Sequence, residues 1–332
     1  MSACATGGII LTLPPKMMQS VPLGVSSLQC SRLAYGCWRL AGTWNPREVR
    51  PGDESRGRLA VITAYEAGYT LFDNADIYCH GRAESIFGAA LRQVPGMRNE
   101  IIVATKCGIR FAGEPAPTDP GRYDFSEDYI VQCCEDSLRR MGIETIDLFQ
   151  LHRPDYLADP EEVASAFSKL RESGKVRHFG VSNFRPSQVT TLQVFCPMPL
   201  LVNQVEISLG KLDAFTNGTL DQCLIERLTP LAWSPLAKGM LGDGAKNLSA
   251  DQQAAYSADR ITPVLEIIAK AHGVSPAVVA LAWLLKHPAK IVPIVGSINP
   301  DRIRDAVKAA SLVLSREEWY RLLVAARGEP VP

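Results

Sequence analysis

The feature that most constrains this 332-residue chain is a regular alternation of short apolar or β-branched runs with longer helical stretches. The apolar runs predict strands at residues 33–35, 70–73, 101–106, 146–152, 178–182, 201–206, 228–233 and 291–296. Helical patterns fall between them, for example at residues 57–67, 83–92, 127–140, 161–173 and 301–310. Eight strands joined by helical crossovers predict an α/β fold with a closed parallel (β/α)8 barrel, the TIM barrel.

The main alternative is an open, doubly wound α/β sheet that binds a dinucleotide. That fold needs the pattern G-x-G-x-x-G directly after its first strand. Here the first strand leads into the residues GCWRL at positions 36–40, which lack the glycines of such a phosphate-binding turn. The closed barrel is therefore the predicted architecture.

The two ends of the chain lie outside the repeating units. Residues 1–30 predict a hairpin or strand that closes the barrel floor, with residues 1–7 disordered. Residues 31–328 then form one barrel domain that ends in an extra C-terminal helix. Two segments, 109–125 and 234–259, are long and rich in Gly and Pro, so we expect them to be functional lids.

The charge composition narrows the possible partners. Lys and Arg total 35, Asp and Glu also total 35, and the formal net charge is zero. Such a chain lacks the basic surface expected for nucleic acid and the polybasic segment expected for a membrane surface. No run approaches the ~20 apolar residues of a membrane span. We therefore expect a small-molecule partner and a monomer or weak homo-oligomer.

The nine cysteines indicate a reducing compartment. Their number is odd, none forms a CxxC pair, and none has zinc-ligand spacing with histidine. The expectation is a cytoplasmic protein without a metal site. The first acidic residue is Glu48, and this acid-poor leader keeps a transit peptide as a minority alternative.

Four ionisable side chains fall at or just beyond the ends of predicted strands: Asp73, Tyr78, Lys106 and His152. In a β/α barrel the carboxyl ends of the strands meet at one mouth, where active sites lie. Each residue alone has an ordinary structural explanation, such as a helix cap for Asp73. Four of them at one mouth favour an active site.

The motifs around these residues resemble those of the aldo-keto reductases. They are GYTLFDNADIY at 68–78, ATK at 104–106, DLFQLH at 147–152, GKVRHFGVSNF at 174–184, NQVE at 203–206, AWSPL at 232–236 and PIVGS at 293–297. The resemblance covers about residues 31–326, and KCGI at 106–109 and LHRPD at 151–155 are similar to a poorly characterised bacterial-type subgroup. It implies a (β/α)8 oxidoreductase that reduces aldehydes or ketones with NADPH.

The resemblance also implies a catalytic tetrad of Asp73, Tyr78, Lys106 and His152. Tyr78 would give a proton to the carbonyl oxygen, and His152 would orient that oxygen. A Lys106 ammonium about 4 Å from the phenol would favour the phenolate by about 4 kcal/mol at an effective dielectric of ~20. We therefore expect Lys106 to lower the pKa of Tyr78 by roughly three units from ~10, with Asp73 keeping the lysine charged.

The cofactor residues implied by the resemblance are Gly36, Trp38, Ser182, Asn183, Gln204, Trp233, Ser234, Pro235, Leu236, Lys238, Gly239, Gly296, Ser297 and Arg302. Ser182, Asn183 and Gln204 would hold the nicotinamide carboxamide, and Trp233 would stack on the nicotinamide ring. The pyrophosphate would follow residues 234–239, helped by the N-terminus of the helix after residue 297.

The match to the 2′-phosphate pocket predicts a preference for NADPH over NADH. An Arg302 fork suits a phosphate better than a ribose hydroxyl, and Ser297 lies in the same motif. Gly296 stands where many relatives have lysine, and Ala306 where many have asparagine. Both departures reduce the expected preference for NADPH over NADH.

The substrate pocket and the alternatives complete the prediction. The candidate walls of the substrate pocket are Trp38, Trp44, Arg110, Phe111 and Tyr123. Aromatic walls favour aryl or apolar carbonyls as substrates.

A redox-sensing regulatory or interaction subunit on the same fold, with little turnover, stays open as an alternative function. A metal-dependent barrel hydrolase is disfavoured because the sequence lacks a His/Asp ligand cluster.

Overall fold

The computed structural model describes residues 18–242, 249, 251 and 254–331 of the chain. The predicted disorder of residues 1–7 and part of the predicted lid at 234–259 lie outside the described residues. In chain order the strands are β1 (Ser20–Pro22), β2 (Gln29–Ser31), β3 (Ala34–Gly36), β4 (Leu71–Asp73), β5 (Ile102–Cys107), β6 (Ile109–Arg110), β7 (Arg122–Tyr123), β8 (Ile146–Leu151), β9 (Val176–Ser182), β10 (Leu200–Glu206), β11 (Thr229–Trp233) and β12 (Val292–Val295).

Eight of these strands close into a barrel in the order β3-β4-β5-β8-β9-β10-β11-β12. Neighbouring strands are parallel throughout, and β12 pairs with β3 to complete the ring. The predicted (β/α)8 fold is confirmed, and each predicted strand overlaps an observed one.

The helices are α1 (Pro51–Glu66), α2 (Arg82–Gln93), α3 (Met97–Glu100), α4 (Glu127–Met141), α5 (Pro160–Glu172), α6 (Pro186–Phe195), α7 (Asp213–Thr216), α8 (Thr219–Glu226), α9 (Ala258–His272), α10 (Pro276–Leu285), α11 (Pro300–Ala306) and α12 (Arg316–Arg327). No single helix of the described ranges is long and apolar enough to cross a bilayer. The pair α9 and α10 meets that test together, with a bend of 94° between its members.

The extra C-terminal helix, α12, is held to the barrel by two tryptophans. Trp283 of α10 donates from its indole to the Trp319 carbonyl at 3.0 Å, and Trp319 donates to the Trp283 carbonyl at the same distance. The rings stack with centroids 4.9 Å apart. Ser315 and Glu318 form a reciprocal capping box, which explains why the helix begins at Arg316.

The N-terminal hairpin closes the barrel floor, as predicted. Strands β1 and β2 pair antiparallel, and the side chains of Val21, Leu23 and Cys30 join the apolar cluster inside the barrel. The Gly24 amide donates to Thr229 Oγ1 at 2.8 Å, at the start of β11. A side chain at position 24 would bring its Cβ within 2.7 Å of the Leu201 carbonyl oxygen, so the turn requires glycine.

The inner face of the barrel changes from apolar to polar along the strands. Successive residues of a strand point to opposite faces, so residues two apart share the interior. Buried apolar residues fill the lower interior, including Leu71, Ile102, Ala104, Leu148 and Val202. Two residues beyond the last apolar one, four strands each place a buried polar side chain inside: Asp73, Lys106, Gln150 and Gln204. This polar layer is the base of the candidate site.

Candidate active site

A buried ion pair lies at the centre of the polar layer. The Lys106 ammonium is 2.8 Å from both carboxylate oxygens of Asp73 and 2.7 Å from the carbonyl oxygen of Asn74. The two side chains are 0% and 3% exposed. Burial lowers the pKa of Lys106, but the charges and hydrogen bonds of Asp73 and Tyr78 outweigh it, so the net pKa is raised. Lys106 therefore stays charged.

Tyr78 lies beside this ion pair, with its ring centroid 5.0 Å from Lys106 Nζ. Burial raises the pKa of Tyr78 to about 12, although the Lys106 charge acts in the opposite direction. The expected lowering of this pKa is therefore wrong. The ammonium already faces three acceptors, and Asp73 itself raises the pKa of Tyr78. As a result the phenol keeps its proton at neutral pH.

His152 packs edge-on against Tyr78, with ring centroids 6.0 Å apart. Burial lowers the pKa of His152 well below its ordinary value, and the charges of Lys106 and Arg153 add to that effect. The imidazole is therefore neutral. Its Nδ1 is buried and has no hydrogen-bond partner among the described residues. A neutral imidazole carries one N–H group, which can donate a hydrogen bond to a carbonyl oxygen. A charged imidazolium could give up a proton itself and would then compete with Tyr78 as the proton donor.

Two glutamine amides complete the surroundings of Asp73. Gln204 Nε2 donates to Asp73 Oδ1 at 2.8 Å, and Gln150 Nε2 lies 3.5 Å from the same oxygen. The prediction was that Gln204 holds the nicotinamide carboxamide. Its amide nitrogen is instead bonded to Asp73, which leaves only its Oε1 to contact a ligand. No role is predicted for Gln150 from the sequence. The sequence feature that could have identified Gln150 is its position two residues after Leu148, a residue that faces the barrel interior.

A chain of hydrogen bonds links the neighbouring strand ends. Ser182 Oγ donates to the Gln204 carbonyl at 2.8 Å, and Asn183 Nδ2 donates to Ser182 Oγ at 2.8 Å and to the His152 carbonyl at 3.1 Å. The Trp233 indole donates to Asn183 Oδ1 at 3.0 Å. Asn183 has a φ of 63°, which asparagine tolerates better than most residues. The structure therefore brings four of the predicted cofactor residues together.

The predicted pyrophosphate segment is one tight turn formed by Ser234, Pro235, Leu236, Lys238 and Gly239. The φ angles of Ser234, Ala237 and Lys238 are 49°, 48° and 58°. Left-handed backbone at residues other than glycine costs about 1–3 kcal/mol each and concentrates at functional sites. Lys238 Nζ lies 5.7 Å from the Tyr256 ring centroid, which orients the lysine in this turn.

The residues predicted to bind the adenosine end of the cofactor lie where β12 pairs with β3. Tyr35 donates its hydroxyl hydrogen to the Ser297 carbonyl at 2.9 Å. Gly36 packs against Ile294, where a Cβ would lie only 2.8 Å from Cγ2. Beyond Ser297, the side chain of Asn299 accepts from the Asp301 and Arg302 amides at 2.9 and 3.3 Å. These two amides of α11 are committed to the cap, so they do not supply the free N–H groups expected there.

Aromatic side chains form the outer wall beside Tyr78. The Trp44 ring meets Tyr78 edge-on at 6.2 Å, and Trp38 lies 5.9 Å from Trp44. Phe111, another expected wall residue, stacks on His80 with ring centroids 4.1 Å apart. The expected wall residues Arg110 and Tyr123 belong to the small β6–β7 hairpin, which occupies part of the predicted lid 109–125.

Arg110 faces its own segment. Its guanidinium binds Asp124 at 2.6 Å and covers the Tyr129 ring at 3.7 Å. We therefore assign it to holding the hairpin in place.

A second buried polar cluster lies behind Lys106, between the barrel and its helices. Glu84 accepts from Thr105 Oγ1 at 2.5 Å and from Arg140 Nε at 2.6 Å. Asp76 lies nearby, and its Oδ1 is buried without a hydrogen-bond partner among the described residues. Burial raises the pKa of Asp76 to about 7, and the Glu84 charge adds to this effect while Arg140 opposes it. No role is predicted for this cluster from the sequence.

We expect Asp76→Asn to raise the melting temperature at pH 8 and to raise it less at pH 5. The folded protein holds the Asp76 proton up to about pH 7, whereas the unfolded chain loses it near ~3.9. The unfolded state therefore binds fewer protons between these values, and wild-type stability falls as the pH rises through them. Thermal unfolding at both pH values measures the effect, with Asp301→Asn as an exposed control. An equal change at both pH values would contradict the assignment.

The comparisons with known proteins agree with this geometry. The model of the Aldo/keto reductase family matches residues 32–324. The chain is 42% identical over 328 residues to 6-dehydroglucose reductase from Novosphingobium aromaticivorans, covering 97% of this chain and 99% of that one. It is 37% identical to the oxidoreductase YdhF from Escherichia coli, covering 95% and 100%.

A solved structure is similar as well. The thermostable aldo-keto reductase Tm1743, in complex with the inhibitor epalrestat, aligns with a TM-score of 0.77 and 26% identity over 93% of this chain and 100% of that chain. The bacterial oxidoreductases among the relatives confirm the subgroup that the motifs indicated. A closed barrel with a buried lysine–aspartate pair at its mouth, matched by a family model over nearly its whole length, shows that this chain belongs to the aldo/keto reductase family.

Proposed function

We propose that this chain reduces aldehydes or ketones to alcohols with NADPH, and that Tyr78 is the proton donor. The observation that carries the proposal is the buried, fully paired Lys106 ammonium beside a phenol that keeps its proton at neutral pH. The neutral His152 ring supplies a second, weaker donor at the same mouth.

The residues present fit a nicotinamide cofactor. Gln204 Oε1 and the Ser182–Asn183 pair offer polar atoms at adjacent strand ends, and Trp233 is fixed beside them by its bond to Asn183. The strained turn at 234–239 has the backbone character of a ligand site. When bound, NADPH supplies the hydride that the carbonyl carbon accepts.

Side chains of the protein supply the proton that the carbonyl oxygen receives. The Tyr78 hydroxyl and the His152 N–H donate hydrogen bonds to the carbonyl oxygen, which polarises the C=O bond. As negative charge develops on that oxygen, Tyr78 transfers its proton to it, and the alcohol forms. The resulting phenolate lies beside the Lys106 ammonium, which stabilises it until water returns a proton.

The substrate class that we favour is a sugar aldehyde. One relative that is similar over nearly the whole chain is named 6-dehydroglucose reductase. Trp44, 51% exposed and adjacent to Tyr78, presents an aromatic surface on which the C–H face of a pyranose ring can pack. This differs from the earlier expectation of aryl or apolar carbonyls.

Oxidation of NADPH and NADH, followed by absorbance, against sugar aldehydes, simple aldehydes and ketones tests the proposed function. We expect higher kcat/KM with NADPH and with sugar aldehydes. Equal efficiency with both cofactors would contradict the NADPH preference. Tight NADPH binding without turnover on any carbonyl would favour the alternative of a redox-sensing subunit.

We expect Trp44→Ala to raise the KM for a sugar aldehyde about 2–10-fold and to leave the KM for propanal nearly unchanged. Loss of an aromatic contact is worth about 0.5–1.5 kcal/mol, and only the larger substrate reaches the indole. Steady-state kinetics with both substrates measures the difference. The control is Tyr320→Ala, which removes an exposed aromatic ring from α12. Parallel KM changes for both aldehydes would contradict stacking on Trp44.

A further inference from the structure

The turn that directly follows Tyr78 has an unfavourable backbone conformation. The φ angles of Cys79, His80 and Gly81 are 49°, 51° and 81°. Left-handed backbone at residues other than glycine persists only where the surrounding structure holds it in place. The turn is tied to Tyr78 itself, because the Ala83 amide donates to the Tyr78 carbonyl at 3.3 Å. The geometry of this turn therefore sets where the phenol of Tyr78 lies at the barrel mouth.

The side chain of Arg140, in the last turn of α4, fills the space beside this turn. A Cβ at position 81 would lie 2.7 Å from Arg140 Nε and closer still to Cδ, so the arginine stem lies directly against the Gly81 backbone. The end of α4 is itself fixed on α2, because Gly88 packs on the Met141 carbonyl and leaves no room there for a Cβ. Arg140 is thus a rigid support for the turn.

Glu84 holds the head of Arg140 and connects it to the strand that carries Lys106. Glu84 accepts from Arg140 Nε at 2.6 Å and from Thr105 Oγ1 at 2.5 Å. The side chains of Arg140 and Glu84 are 27% and 0% exposed. The Asp76 amide donates to the Lys106 carbonyl at 3.1 Å, which ties the start of the Tyr78 segment to the same strand. The buried cluster therefore links α2, α4 and β5 around the segment that carries Tyr78.

We propose that Arg140 is a positioning residue for the reduction: its stem, held by Glu84, supports the turn at 79–81 and keeps the Tyr78 hydroxyl aligned with the carbonyl oxygen. The inference rests on the proposed function, because this alignment matters for the rate only if Tyr78 gives up its proton. Arg140 acts on Tyr78 through the backbone of the turn. Its charge balances Glu84 and its stem supports Gly81, so mutation can separate the two contributions.

Two double variants isolate the stem. Arg140→Ala alone would leave the buried Glu84 carboxylate without its cation and could unfold the protein. Glu84→Gln is therefore combined either with Arg140→Met, which keeps an unbranched stem against Gly81, or with Arg140→Ala, which removes the stem. Both double variants lose the same charges, so any effect on the neighbouring Asp76 carboxyl is common to both. Melting temperatures verify that each variant is folded.

Hydrogen–deuterium exchange of residues 78–85 measures the turn without reference to activity. The amides of His80 and Arg82 donate to the carbonyls of Ile77 and Cys79 at 3.1 and 3.0 Å, so opening of the turn exposes them. We expect these amides to exchange about 10–100-fold faster in the Arg140→Ala double variant than in the Arg140→Met double variant. Peptides from the barrel strands are expected to exchange equally in the two variants.

Steady-state reduction with NADPH measures the effect on Tyr78. We expect kcat to be about 10–100-fold lower in the Arg140→Ala double variant than in the Arg140→Met double variant, because misplacement by ~1 Å can cost that much. KM is expected to differ by less than about twofold. Arg140→Lys keeps both stem and charge, and we expect it to retain most of kcat. Arg139→Ala, which removes the adjacent, 71% exposed arginine paired with Asp136, is the control and is expected to match the wild type.

The outcomes separate this inference from the proposed function. Faster exchange together with lower kcat in the Arg140→Ala double variant alone supports the role of Arg140. Equal exchange in the two double variants overturns it, and so does equal kcat, whereas the reductase proposal survives either result. If the wild type reduces no carbonyl, the reductase proposal falls, and the exchange comparison still decides whether Arg140 holds the turn.

Discussion

Tyr78→Phe is expected to lower kcat for carbonyl reduction by about 10²–10⁴-fold, the usual contribution of a positioned general acid. The ring remains, so its edge contacts with Trp44 and His152 persist and only the transferable proton is lost. NADPH affinity, measured by fluorescence titration, is expected to stay within about twofold of wild type. Tyr320→Phe removes a hydroxyl far along the chain, on α12, and is the matched control.

The pH profile gives an independent reading of the same group. Because burial raises the pKa of Tyr78 to about 12, the donor form is fully populated below that pH. We therefore expect no alkaline limb from Tyr78 in the kcat of reduction between about pH 6 and 9. Alcohol oxidation needs the phenolate, so its rate is expected to rise with pH over the same range. A loss smaller than tenfold in Tyr78→Phe would remove Tyr78 from the mechanism.

The architecture and the central ion pair were predictable from short-range patterns. Strands with period two fix which residues face inward, so Asp73 and Lys106 had to share the barrel interior once the barrel was inferred. The same rule also applied to Gln150, but a single amide in an apolar run carries no chemical signature of its own. Its interaction with Asp73 depends on β4 and β8 lying on either side of β5 in the closed ring.

The electrostatic details were beyond the sequence. The pKa of Tyr78 depends first on the burial of the phenol and then on the opposing charges of Lys106 and Asp73. Both effects require the folded barrel, with the carbonyl of Asn74 and both oxygens of Asp73 in place around Lys106. The packing of the Trp38 ring beside Gly296 likewise depends on two loops from distant parts of the chain. Loop positions follow from packing across the whole barrel rather than from local pattern.

Lys106→Met is expected to lower the free energy of unfolding by about 3–5 kcal/mol, because it leaves Asp73 buried without its cation. The Asp73 side chain is 3% exposed, and the Gln204 amide is then its nearest strong donor. Urea unfolding measures the loss. The double variant Asp73→Asn with Lys106→Met removes both charges, and we expect it to recover most of that stability.

We expect kcat and the free energy of unfolding to respond differently in Lys106→Met and in the double variant. Both lack the ammonium that stabilises the Tyr78 phenolate after proton transfer, so both are expected to lose about 10²–10³-fold in kcat. Recovery of stability without recovery of kcat would assign two distinct functions to Lys106: it balances a buried carboxylate, and it stabilises the charge left on Tyr78. If kcat returned together with stability in the double variant, the lysine would act only by holding the fold, and another group would have to stabilise the phenolate. If the double variant stayed as unstable as Lys106→Met, the lost packing of the lysine stem, rather than the unpaired charge, would account for the destabilisation.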